Sequence, residues 1–261
     1  MTDNRTIVVH PERSGLVTAV AHRIESTLLA LLEEQTAVHL VLTGGSVGID
    51  VLTAMGSTAE APSVDRQSID WPRVHVWWGD ERWLPTGDAE RNDKQADDAL
   101  LGRVALRPEH IHRFAADDGT ITLDDAAAAY AEELAAHAPD GEATPVFDIL
   151  LLGVGPDAHI ASLFPDRDGV RERAASVIAV RESPKPPPER LSLTIPSIRR
   201  AQRVWLALSG SDKASALSLA LSGANSVQVP VAGAYGTVET VFFVDAAAAK
   251  DVPAELITGD R

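Results

Sequence analysis

Cysteine is absent from all 261 residues. Disulfides, thiolate-held metals and thiol nucleophiles are therefore excluded, and a reducing compartment, the cytoplasm, is expected. Cationic side chains are in short supply: 23 Lys and Arg face 38 Asp and Glu, for a net charge of −15. So anionic a chain repels the phosphates of nucleic acid and of anionic membranes, and neither is expected as a partner. A small anionic substrate is still compatible, because a few converging cations and backbone N–H groups make a local positive site. No continuous apolar run approaches the roughly 18–20 residues of a membrane span. The polar start MTDNRT lacks the pattern of a secretory leader. Histidine is missing after His159, which weighs against any catalytic order that ends in a C-terminal histidine.

What is present is ordinary for a soluble globular protein: 45% hydrophobic and 23% charged residues. The length suits a single α/β domain over residues 1–261. Short apolar runs predict strands at Thr6–Val9, Val38–Leu42, Val74–Trp78, Phe147–Leu152, Val177–Val180, Leu191–Thr194, Val204–Leu208 and Val241–Val244. Between them, helical patterns span Ser14 to Glu34 with Ser14 as cap, Ser46 onward, Asn92–Leu101, Leu123–His137 and the stretch after Gly210. Residues 57–70 and the proline-rich 183–190 read as connectors. Alternation of strand and helix points to a doubly wound, mainly parallel, Rossmann-like sheet with helices on both faces.

The most informative stretch is Phe147–Pro165, FDILLLGVGPDAHIASLFP. An apolar strand ends at Gly153, and Asp157 is a good cap for a helical turn over Ile160–Leu163. His159 then stands at a strand end, where open α/β sheets bind ligands, and its imidazole can take a proton near neutral pH. The plainer reading is a capping aspartate beside a polar loop histidine. Thr43-Gly44-Gly45-Ser46 also joins a strand to a helix, and its glycines, hydroxyls and helix N–H groups suit a phosphate. The same letters spell G-x-S-x-G, a nucleophile elbow that would make Ser46 the nucleophile of a serine hydrolase, but no later histidine follows His159 to complete its triad. After the third strand, WWGDERWLP offers Arg82 as a planar fork for an oxyanion, with Asp80 and Glu81 to orient it; a surface ion pair is the alternative. Arg190 precedes a strand. Lys213 stands at a helix start, where the dipole disfavours a cation and a nearby anion would explain it. His110 and His112 have no third ligand at a telling spacing, so no metal site is assigned. Asp117, Asp118, Asp124 and Asp125 read as solvated helix-start charges.

Two of these segments carry a resemblance. GPDAHIASLFP and WGDER resemble the signatures of 6-phosphogluconolactonases, within the glucosamine-6-phosphate isomerase/deaminase fold group. The TGGS loop, ERLSLT and SGSDKASAL resemble the group's phosphate-binding segments in the same order. One departure is Ala158, where the family usually has glycine; alanine there costs on the order of 1 kcal/mol if the backbone needs a positive φ. The resemblance implies hydrolysis of 6-phospho-D-glucono-1,5-lactone in the oxidative pentose phosphate pathway, without a cofactor. It implies His159 as general base oriented by Asp157, and Arg82 at the carbonyl oxygen or the phosphate. It also implies Thr43, Gly44, Gly45, Ser46, Asp80, Arg190 and Lys213 as substrate and phosphate contacts. The partner is then a small sugar-phosphate lactone, and the protein a monomer or small homo-oligomer. A sugar-phosphate isomerase or deaminase of the same group, and a non-catalytic sugar-phosphate-binding module, are the competing readings.

Overall fold

A computed structural model describes residues 5–60, 68–253 and 257. Its strands are β1 (Arg5–His10), β2 (Val38–Leu42), β3 (Val74–Trp78), β4 (Asp80–Arg82), β5 (Ile149–Gly153), β6 (Val177–Val180), β7 (Arg190–Leu193), β8 (Arg203–Leu208) and β9 (Glu239–Asp245). The helices are α1 (Arg13–Glu34), α2 (Gly45–Glu60), α3 (Asn92–Ala99), α4 (Leu123–Ala136), the single turn α5 (Ile195–Ile198), and α6 (Ala214–Leu221).

Six strands form one sheet in the order β1-β9-β8-β5-β2-β3, and every pairing in it is parallel. Strands such as Ile149–Leu152 are buried on both faces, which is why they read as unbroken apolar runs. The α/β, doubly wound expectation holds. It needs one correction: β6 and β7 do not join the large sheet. They pair antiparallel in a second sheet, β4-β7-β6, and Leu191 and Leu193 of β7 pack into the same hydrophobic core as the large sheet.

Local details depart from expectation where tertiary contacts win. Ser14 is not the cap of α1; Glu12 holds that position, and the Ser14 hydroxyl donates to its carboxylate at 2.8 Å. Helix α1 is long and apolar enough to cross a membrane by length and composition, which no unbroken apolar run suggested. Its stripe Leu16, Val20, Ile24 and Leu28 is fully buried, at the i, i+4 spacing of a helix face turned to a core. Helix α2 extends through residues 57–60, and residues 61–67 of the expected connector lie outside the described residues. At α4, Asp125 is more than a solvated charge: it closes a capping box with Thr122.

The sheet order sets the position of the site. From β2 the chain steps outward to β3, whereas from β5 it steps through β8 to β9 on the other side. β2 and β5 are neighbours, with Leu40 opposite Ile149 and Val41 opposite Leu150. The segments leaving their C-terminal ends therefore diverge, and this is the switch point at which open α/β sheets hold ligands.

Candidate active site

A cavity of about 220 Å³ opens at this switch point. Thr43, Gly44, Gly45 and Ser46 form one wall, and His159 stands on another beside Gly153–Pro156. Asp80, Arg82, Arg190 and Lys213 complete the set marked in the sequence. Asp157 and Glu81 do not line the cavity; Asp157 is bonded to His159 from behind.

The turn carrying His159 is tight. The Ala158 N–H donates to the Gly155 carbonyl, and the Gly155 N–H to the His159 carbonyl, both at 2.9 Å. A side chain at Gly155 would place its Cβ 1.9 Å from His159 Nδ1 and 2.4 Å from Asp157 Oδ1. Only glycine leaves room for that pair. Ala158 has φ 68°, so the family's glycine position is a left-handed one and alanine bears the strain, on the order of 1 kcal/mol. Ile160–Leu163 forms no helix: Ile160 makes isolated bridges to Val154 and Leu163, and Ala161 also has positive φ. Asp157 accordingly caps nothing. Its Oδ1 accepts from His159 Nδ1 at 2.5 Å, which leaves Nε2 with the free lone pair. Burial alone would raise the Asp157 carboxyl, but the His159 hydrogen bond and the charges of His159 and Lys185 hold it well below the usual carboxylate range.

Across the cavity, the buried Thr43 hydroxyl accepts from the Gly153 N–H at 3.3 Å and ties the two loops together. Gly44 is pressed against Asn92, whose Oδ1 would lie 1.9 Å from an added Cβ. Ser46 is exposed in the first turn of α2. The left-handed residue of this loop is Gly45, at φ 80°, not Ser46, and the bond of the His159 imidazole runs to Asp157. A nucleophile elbow places the strained backbone at the serine itself; in this loop it falls on the glycine before it.

The DER segment differs from its expected wiring. Asp80 and Glu81 do not orient the Arg82 guanidinium. Asp80 accepts from the Ser162 hydroxyl at 2.8 Å. Glu81 accepts from the backbone N–H groups of Arg82, Asn92 and Asp93. Arg82 is instead held by the Glu90 carbonyl, and its Nε is buried without a partner. Arg82 sits opposite Arg190 in the β4–β7 ladder. The Arg190 guanidinium donates to the carbonyls of Lys185, Pro186 and Pro187. Burial lowers its pKa; nearby Asp80 opposes the shift and Arg82 adds to it. Among the described residues neither arginine has a carboxylate at ion-pair distance, and two adjacent guanidinium groups in so acidic a protein favour an anionic ligand. Lys213 meets a neighbouring anion in Asp212, at 3.1 Å.

Three lining residues with polar side chains were not singled out in the sequence. Asn92 opens α3 and donates to the Asp80 carbonyl at 2.8 Å. Ser209 donates to Asp245 at 2.6 Å. Lys185 brings its ammonium to 3.5 Å from Asp157 Oδ1 and 3.4 Å from His159 Nδ1. The only sequence signal for Lys185 is a lone cation inside a proline tract.

Residues 11–243 match the family described as glucosamine-6-phosphate isomerases/6-phosphogluconolactonase. The 6-phosphogluconolactonase of Streptomyces coelicolor is 48% identical over 260 residues, covering 98% of each chain. That of Mycobacterium tuberculosis is 43% identical over 250 residues, covering 95% of this chain and 98% of the relative. The crystal structure of 6-phosphogluconolactonase from Thermotoga maritima superposes with a TM-score of 0.78 at 25% identity, over 92% of this chain and 99% of that one. The chain belongs to the glucosamine-6-phosphate isomerase/6-phosphogluconolactonase family.

Proposed function

We propose that this protein hydrolyses 6-phospho-D-glucono-1,5-lactone to 6-phospho-D-gluconate, in the cytoplasm and within the oxidative pentose phosphate pathway. The observation that carries the reading is one cavity with His159 on one wall, bonded from behind by Asp157, and the cations Arg82, Arg190 and Lys213 around it. A six-membered lactone is an activated ester, so water needs only a base and a charge sink. His159 takes a proton from water through Nε2 as the oxygen adds to the carbonyl carbon, and Asp157 stabilises the imidazolium that forms. Arg82 balances the negative charge growing on the carbonyl oxygen. Collapse of the tetrahedral adduct breaks the ring C–O bond, and the imidazolium returns its proton to the departing ring oxygen. The α2 N-terminus, the Thr43 and Ser46 hydroxyls, Arg190 and Lys213 hold the phosphate. Asp80 keeps the floor of the site in place through Ser162.

The direct test is a lactonase assay on freshly generated 6-phosphogluconolactone, with the spontaneous rate subtracted and glucosamine 6-phosphate run in parallel. Turnover of the lactone alone is the expected result. Turnover of the amino sugar alone would transfer the protein to the isomerase and deaminase side of its family, and phosphosugar binding without turnover of either would make it a binding module.

A further inference from the structure

Five of the eight histidines gather on one face of the large sheet, near the end opposite the active-site cavity. His39 and His75 are the second residues of β2 and β3, paired in register. Thr43, at the cavity, lies four residues further along from His39, roughly 13 Å at strand rise. His110 stacks on His75 with ring centroids 3.9 Å apart. His112 stacks on Trp77 at 3.7 Å and meets the edge of His137 at 4.5 Å. The pair His110 and His112 carries no third ligand in its own sequence neighbourhood; the fold brings in His75 from β3 and His137 from the end of α4.

One ring nitrogen from each of His75, His112 and His137 lies within 4.8 Å of the others. The hydrogen bonds fix where the protons are. His137 Nδ1 faces the Glu133 carbonyl at 3.0 Å; a carbonyl only accepts, so Nδ1 carries the proton and Nε2 the lone pair. His112 Nδ1 faces the Glu133 carboxylate at 2.6 Å and donates to it. His112 Nε2 therefore offers its lone pair to His75 Nδ1, 2.9 Å away. That contact is a few tenths of an ångström short of the roughly 3.3 Å between two nitrogens on a tetrahedral ion with bonds of about 2.0–2.1 Å. Moving the His75 proton to Nε2, with no net gain or loss, turns the contact into a pair of converging lone pairs. His39 is not part of the set, because its Nδ1 accepts from Trp77 Nε1 at 3.0 Å.

We propose that His75, His112 and His137 bind a divalent transition-metal ion of the zinc class, with the Glu133 carboxylate orienting His112 from behind. Three neutral imidazoles suit zinc, cobalt(II), nickel(II) or copper(II), and do not suit magnesium or calcium, which take oxygen ligands. A carboxylate on the far nitrogen of a ligating histidine is the usual support of such sites. His75 and His137 are half-buried, so the cluster is not sealed inside the core. The ion would join β3, the 110–112 segment and α4, three parts of the chain far apart in sequence. This site is separate from the cavity, and the inference does not depend on the lactonase reading.

The test is titration of chelator-treated protein with Zn²⁺ by calorimetry, and with Co²⁺ by absorption. One ion per chain and a tetrahedral cobalt spectrum are expected. His75→Gln and His137→Gln should each abolish both signals while circular dichroism shows the fold kept. Glu133→Gln should weaken binding about 10–100-fold, and His159→Gln should leave it unchanged. X-ray absorption of the zinc-loaded native protein needs no variant and should show three imidazole nitrogens. Fewer than three, binding that survives both histidine substitutions, loss of binding in His159→Gln, or no binding beyond a weak non-saturating signal would each overturn the proposal.

Discussion

Glu81 is the buried hinge of the DER segment, and its removal has a cost that can be worked out. It is 1% exposed. Oε1 accepts from the N–H of Arg82 and of Asn92, each at 2.7 Å, and Oε2 from that of Asp93 at 2.9 Å. Two of these donors are first-turn N–H groups of α3, whose own N-cap, Arg91, supplies no side-chain cap. Glu81 thus caps α3 from a strand eleven residues upstream, and it adds a second carboxylate at 3.8 Å from the buried Arg91 guanidinium. In Glu81→Ala three donors lose their acceptor, at about 1–3 kcal/mol for each one left buried and unpaired. Arg91 keeps Asp93 at 2.9 Å and the Phe114 carbonyl at 2.9 Å, so the charge itself is not stranded. Allowing for partial rehydration, the loss should be about 3–5 kcal/mol, within the range for breaking a buried pair. Total stability is commonly about 5–15 kcal/mol, so the alanine variant should forfeit a large fraction of it. Glu81→Gln retains one acceptor oxygen and should lose roughly 2 kcal/mol. Urea unfolding at neutral pH, followed by tryptophan fluorescence, measures both, and amide exchange should quicken first at Asn92 and Asp93. A loss below about 1 kcal/mol in Glu81→Ala would refute this reasoning, since no buried donor could then depend on that carboxylate.

Other outcomes follow from single contacts. Ser46→Ala should raise KM yet keep turnover, and a fluorophosphonate probe should leave the protein unlabelled; labelling at Ser46 with lost activity would restore the elbow reading. Lys185→Met removes a cation 3.4 Å from His159 Nδ1 and should raise KM for the anionic substrate while lowering kcat less than His159→Gln does, read from steady-state kinetics. Asp245 lies below its ordinary value of 3.8: burial opposes the shift, but bonds from Ser209 and from backbone N–H groups including Ala248 and Gly210 outweigh it. Its native pKa is depressed, so its contribution is complete above about pH 4 and is lost as pH falls further. Asp245→Asn should be less stable at pH 7 and decline less steeply in acid, measured by urea midpoints across that range.

The large sheet was legible because its strands are continuous apolar runs, and a strand buried on both faces leaves no other pattern. The switch-point loops were legible from glycine and hydroxyl residues at strand ends. β4 was not. Asp80-Glu81-Arg82 has the composition of a loop and is a strand only because β7 pairs with it, residue by residue from Ser192 to Arg190. Ile160–Leu163 misled in the opposite sense: Ile160 and Leu163 are fully buried, but in a chain of bridges and left-handed turns, so apolar spacing mimicked a helix. Asn92, Lys185 and Ser209 reach the cavity through contacts distant in sequence, and none has a local motif. The histidine cluster is the same case at larger scale, since residues 75, 112 and 137 converge only after β3 and α4 are packed.

The central claim is that His159 does chemistry while the cations across the cavity hold a remote phosphate. The measurement that tests it most directly is the separation of kcat from KM in His159→Gln and Lys213→Ala, with spontaneous lactone hydrolysis subtracted. Lys213 contacts only its neighbour Asp212 by ion pair among the described residues, so its loss spares the core. A phosphate contact is the same in ground and transition states, so Lys213→Ala should raise KM and leave kcat nearly intact. Loss of the general base should lower kcat about 10²–10⁴-fold with little change in KM. A His159→Gln protein that keeps nearly full kcat, beside a Lys213→Ala protein that loses it, would contradict the account.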